Sequence, residues 1–276
     1  MTVQFDTKLI SSILLFIDHE ILKHGRAFSN HSGRLYPITG GIQGLYAYAA
    51  PFKPLCNDTS ITGATVMTGV YLNGNYVSVG QSGLHSINHN QGTAYFTGSL
   101  PSSTIVSGNY AIREFGVKMT DKPEYKLLFE TKYLTNTKHN QVLSGLPLDT
   151  ETSPIVYVRT DDSENLPFAF GRVDNATVKI RVIVVADTEY QKVGVCNILR
   201  NLNTRQIPIY ETLPFDRNGA FTGINYNYDN IAVDTGYYPW ILKSRVLSVP
   251  IRDDMPNKEK KMAIVDLDVS TVMTHF

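Results

Sequence analysis

Two stretches near the C-terminal end constrain the fold most. Trp240 to Arg252 and Lys260 to Val272 each run for about a dozen residues, and the turn formers Asp253, Asp254, Pro256 and Asn257 lie between them. Antiparallel pairing across that connection sets Arg252 opposite Glu259, so that partner numbers add to 511. That register places Arg245 against Asp266 and Lys243 against Asp268. It also places Leu247 against Ile264, Val249 against Met262, and Val246 against Val265. Opposite charges and apolar residues then face their own kind of partner, which cross-strand pairing favours. A slip of one residue would spoil both sets together. Such strands extend roughly 40 Å at about 3.3 Å per residue. A hairpin that long is expected to reach past its own core, with its tip near Met255 touching a neighbouring subunit.

The rest of the chain reads as α+β and β-dominated. Residues 6–24 form the best helix, with Asp6 as cap, Gly25 as left-handed close, and Leu9, Ile13, Phe16 or Ile17, and Ile21 at helical steps. Leu14 and Leu15 fall outside that stripe. The helix is therefore expected to be buried on more than one face, with Leu14 and Leu15 as candidate contacts to another subunit. Residues 26–60, punctuated by Gly and Pro, read as an irregular, packed arm. Asn73-Gly74 between Val70-Tyr71-Leu72 and Tyr76-Val77 predicts a tight hairpin. A second hairpin is expected around Asn90-Gln91-Gly92. Strands are also expected at 110–119, Lys179–Ala186, 207–213, 240–251 and 260–272, with a short helix over 188–202 capped by Thr188. The whole reads as one β-rich unit, with a possible division in the Pro-rich, polar stretch 136–175.

Composition excludes several classes. Lys and Arg number 25 against 25 Asp and Glu, so neither a broad nucleic-acid-binding face nor a polybasic membrane anchor is expected. The run Ile13–Ile17 is followed at once by Asp18 and Glu20, so no membrane span and no secretory leader are expected. Cys56 and Cys196 read as reduced structural thiols. His85 and His89 sit in strand context, where four residues separate them by about 13 Å, too far for one ion. Asp161-Asp162-Ser163-Glu164-Asn165 resembles half a calcium loop, but Leu166 and Arg172 stand where the loop needs Gly and Glu. Asp266 and Asp268 share a strand face, where basic neighbours explain them better than acid–base chemistry. No nucleophile elbow, P-loop or dinucleotide fingerprint is present. The expectation is a chain that is not an enzyme and takes no metal or cofactor.

The aromatic residues point elsewhere. Tyr226, Tyr228, Tyr237, Tyr238 and Trp240 cluster with Asn225, Asn227, Asp229 and Asn230. Protein interfaces use such surfaces, and so do sugar-binding ones; the interface reading is the stronger. These five aromatics, with Leu14, Leu15 and Met255, are the candidate interface residues.

Three stretches carry a resemblance. They are Phe5-Asp6-Thr7-Lys8-Leu9-Ile10-Ser11-Ser12; the hairpin Tyr71-Leu72-Asn73-Gly74 leading to Gly83-Leu84 and Ile87-Asn88-His89-Asn90-Gln91-Gly92; and Tyr210-Glu211-Thr212-Leu213-Pro214-Phe215-Asp216. In them the chain resembles virion structural proteins of tailed bacteriophages, especially marine myovirus-type proteins of the head-to-tail region. The resemblance implies a neck, connector or tail-completion component. It would be assembled in the host cytoplasm as a homo-oligomeric ring and would contact other neck or tail proteins. The rival reading is a glycan-binding module of a tail fibre or adhesin.

Overall fold

The computed structural model describes residues 5–38, 42, 44–130, 153–169, 173–216, 221–235, 237, 239–249 and 260–274. The fold is α+β and β-dominated. The chain opens with helix α1 (Phe5–Gly25) and continues through β1 (Phe28–Arg34), β2 (Tyr36–Ile38), β3 (Tyr46–Ala49), β4 (Gly69–Leu72), β5 (Asn75–Ser78), β6 (Leu84–Asn88), β7 (Thr93–Phe96), β8 (Val106–Arg113) and β9 (Gly116–Met119). Helix α2 (Glu124–Glu130), the long strands β10 (Ile155–Ala169) and β11 (Val173–Ala186), helix α3 (Glu189–Arg200), β12 (Trp240–Val249) and β13 (Lys261–Thr274) follow.

Two four-stranded sheets, β1-β8-β4-β5 and β2-β3-β7-β6, enclose one core that includes Leu35, Leu55, Val70, Phe96 and Tyr110. The β4–β5 hairpin turns at Asn73 and Gly74 with φ of 51° and 88°, the double positive φ that an Asn-Gly turn supplies. Residues 26–60 are more ordered than their glycines and prolines suggest. β1 pairs with β8 and β3 pairs with β7, both distant in sequence, and those ladders override local breaking signals. Residues 207–213, expected as a strand, contribute only isolated bridges such as Tyr210 to Val233.

The third sheet has the order β12-β13-β11-β10-β9. Its β12–β13 pairing runs Lys243–Asp268, Arg245–Asp266, Val246–Val265, Leu247–Ile264 and Val249–Met262, which is the register that adds to 511. A bulge between Ile241 and Lys243 shifts the Trp240 end by one residue. The hairpin tip, including Met255, lies outside the described residues. In the polar stretch 136–175, residues 155–169 and 173–175 are strand, paired within this sheet.

One face of this sheet is mainly apolar. Val156, Val158, Ile180, Val182, Val184, Val265, Leu267 and Val269 pack against α1 and α3. Thr188 caps α3 through a reciprocal capping box with Gln191. Gly25 does not provide the left-handed close; Arg26 does, at φ 45°. Gly25 instead lets α3 approach, because a Cβ there would lie 3.1 Å from Ile198 Cδ1.

Candidate assembly surface

The first charged feature is sealed inside. Arg113 ends β8 and is buried together with Asp18 of α1, with which it forms an ion pair. Its Nη1 also donates to Asn57 Oδ1 at 3.5 Å, and its guanidinium lies 4.8 Å from the Phe115 ring and 5.4 Å from that of Phe221. Burial lowers the Arg113 pKa to about 10. One helix position on, His19 Nδ1 donates to Asp58 Oδ2 at 2.9 Å. Asp58 Oδ1 accepts from the Ser60 N–H and hydroxyl and from the Tyr228 N–H. Burial alone would raise the Asp58 pKa; these donors outweigh it and hold the carboxyl below its ordinary value.

This cluster decides where the candidate tyrosines point. Tyr226 donates its hydroxyl to Asp18 Oδ2 at 3.3 Å, and its backbone joins Asn57 and Thr59 through paired hydrogen bonds. Burial pushes its phenol well above the ordinary value. Tyr228 stacks on His19 with ring centroids 3.8 Å apart and meets the edge of Tyr210 at 5.4 Å. Tyr237 is half-buried against the main core. The expected exposed tyrosine patch is therefore not formed by Tyr226 and Tyr228, whose polar ends are used internally. Tyr238 lies outside the described residues.

Leu14 and Leu15 need the same correction. Both are buried within their own chain, as is nearly every residue from Leu9 to Leu22. The sheet covers one side of α1. The segment carrying Ile207, Ile209 and Tyr210 covers another, with the Tyr210 N–H donating to Ser12 Oγ at 3.2 Å. The chain itself supplies the second burial, so neither leucine lies where a neighbour could touch it.

Trp240 is different. It begins β12, the outer strand of the five-stranded sheet, and is 46% exposed. Leu242 in the bulge (58%), Val246 (36%) and Leu247 (41%) add exposed apolar side chains along the same strand, Val246 and Leu247 on opposite faces of the sheet. From Leu242 to Val249 the outer side of β12 pairs with no strand among the described residues. A long, partly apolar, unpaired edge is a template for another strand.

The second face of this sheet combines apolar and charged rows. Ile155, Tyr157, Ile183, Val185 and Met262 pack under Leu127 and Leu128 of α2. The next row is Arg159, Arg181, Asp266 and Arg245 across β10, β11, β13 and β12. Asp266 takes Arg181, whose Nε donates at 2.8 Å and Nη2 at 3.2 Å, which raises the Arg181 pKa. Glu124 of α2 bridges Arg159 at 3.1 Å and Arg181 at 3.2 Å. Arg245 thus holds the predicted register position while the carboxylate opposite it is engaged by Arg181. The row beyond is Asp162, Lys179, Asp268 and Lys243. Asp161 and Asp162, which open the stretch resembling half a calcium loop, lie on strand β10.

The charged rows were partly readable, since Lys179-Ile180-Arg181-Val182 alternates with the strand period. Nothing local signals the Arg113–Asp18 pair, whose members are 95 residues apart. His89, one half of the rejected metal pair, is buried with its ring nitrogens 2.8 Å from Gly223 O and 3.0 Å from Met67 O. Burial lowers its pKa against the opposing effect of those two carbonyls. Cys56 and Cys196 are buried free thiols; burial raises both, Cys196 to about 11, which removes thiolate character. No helix in the described residues is long and apolar enough to cross a membrane. No protein-family model and no curated protein matches the chain.

Proposed function

We propose that this chain is a structural subunit of a tailed-bacteriophage virion, one protomer of a homo-oligomeric ring at the neck, connector or tail. Its work is assembly, with copies of itself and with other neck or tail proteins, and it performs no catalysis. The observation that carries the assembly half is the β12 edge, unpaired from Leu242 to Val249 among the described residues, with Trp240, Leu242, Val246 and Leu247 exposed along it. An unpaired strand edge with exposed apolar side chains invites a partner, and obligate interfaces bury on the order of 2,000 Å² or more. The virion half rests on the resemblance carried by the three sequence stretches. The glycan-binding reading loses its main support, because Tyr226 and Tyr228 turn inward onto Asp18 and His19.

The test is sedimentation of the purified full-length chain together with negative-stain imaging, and then location of a tagged copy in purified particles. Closed rings and a tag at the head–tail junction are expected. A chain that stays monomeric at all concentrations would overturn the ring subunit, and particles lacking the tagged chain would overturn the virion role.

A further inference from the structure

We propose that copies of this chain join head to tail through their five-stranded sheets. The outer edge of β12 in one copy adds to the outer edge of β10 in the next. The proposal rests on the ring reading and names the surface that would build it.

Among the described residues, both edges have an unpaired stretch of comparable length. β9 covers β10 only along Ile155–Val158, and from Arg159 to Ala169 no described strand lies on that side. On β12, residues 204 to 206 take the outer side at Trp240 and Ile241, and from Leu242 to Val249 no described strand lies on that side. The strands of this sheet alternate in direction from β10 through β11 and β13 to β12. β10 and β12 therefore run oppositely, and two sheets set edge to edge with the same face up meet as an antiparallel pair. That is the favourable sense for continuing an antiparallel sheet.

Charge selects the partner. The row Asp162, Lys179, Asp268 and Lys243 reads acid, base, acid, base from the β10 edge to the β12 edge on one face. Asp162 lies 3.8 Å from Lys179, and both side chains are well exposed. Placing Lys243 of one copy beside Asp162 of the next continues the alternation across the contact without a break. Exposed Arg245 adds a second positive charge to the β12 edge. A β12–β12 contact would set Lys243 and Arg245 against each other, and a β10–β10 contact would set Asp162 against Asp162. Like charges directly opposite are destabilising in a sheet. The charges that protect each edge from its own kind thus leave the heterologous pairing open, and heterologous contacts generate rings when the rotation closes.

The experiment uses two full-length variants, Asp162→Lys and the double variant Lys243→Glu/Arg245→Glu. In the first, both edges are basic; in the second, both are acidic. Each alone is expected to associate about tenfold more weakly than the wild type in sedimentation velocity. An equimolar mixture restores opposite charges at every contact and is expected to recover assembly in alternation. Circular dichroism and a thermal melt of each variant confirm folding, since all three side chains are exposed. A cysteine pair at the two positions set side by side, Lys243→Cys with Asp162→Cys, offers a second readout as an intermolecular disulfide between copies. If the wild type forms rings while both variants assemble undiminished, or the mixture does no better than its components, the edge pairing is overturned and the ring reading survives. If the wild type itself never associates, the ring reading falls and this proposal with it.

Discussion

Two charged regions of this molecule use the same residue types to different ends. Around Asp18, Asp58 and Arg113 the carboxylates and the guanidinium are buried, and each is held by several partners from distant segments. On the second face of the five-stranded sheet, Arg181, Asp266, Asp162 and Lys243 lie near or at the surface, in rows set by strand register. Inside, an unpaired charge has no water to turn to, so every member matters to the fold. Outside, water replaces a lost partner at small cost, and the charges are free to mark register and select neighbours.

That contrast predicts a graded series. Arg113→Met should be the most damaging change, costing about 3–5 kcal/mol in urea unfolding, because it leaves the Asp18 carboxylate buried without its cation. Combining it with Asp18→Asn should restore part of the loss. If the double variant is as unstable as the single one, the damage comes from lost packing rather than from a stranded charge.

Asp58 sharpens the inside half through pH. Its folded pKa lies below the ordinary 3.8, because the donors from His19, Ser60 and Tyr228 outweigh burial. The ionised form therefore favours the folded state. Its contribution is fully present above the unfolded carboxylate value and is lost as the pH falls through the folded one. Asp58→Asn should destabilise the protein at neutral pH by about 1.5–3 kcal/mol and flatten the acid limb of the stability profile. An acid limb as steep as that of the wild type would show that other carboxylates govern it.

On the sheet face the effects should be small and unequal. Arg181→Ala removes two bonds to Asp266 and one to Glu124 and should cost about 1 kcal/mol. Arg245→Ala should stay within about 0.5 kcal/mol, because the carboxylate across the ladder belongs to Arg181. Chemical denaturation of both variants side by side checks the order, and a larger loss at Arg245 would reverse the assignment of Asp266.

Sequence periodicity alone determined the elements whose causes are local. The α1 stripe of Leu9, Ile13, Ile17 and Ile21, the Asn73-Gly74 turn, the Thr188 cap and the register of β12 against β13 all follow from residues a few positions apart or facing each other across one connection. Only the tertiary structure decided which surfaces those elements share. Tyr226 and Tyr228 read as an outward patch until Asp18, His19 and Asp58 arrive from segments more than 150 residues away and give their polar ends and rings a half-buried place. Leu14 and Leu15 read as a second, intermolecular face until the segment around Ile209 and Tyr210 closes over α1 within one chain. Arg245 reads as the partner of Asp266 until Arg181 reaches that carboxylate from the neighbouring strand. Local pattern states that a side chain must be buried or paired. Which atoms bury or pair it depends on contacts between distant segments, and these have no signature along the chain.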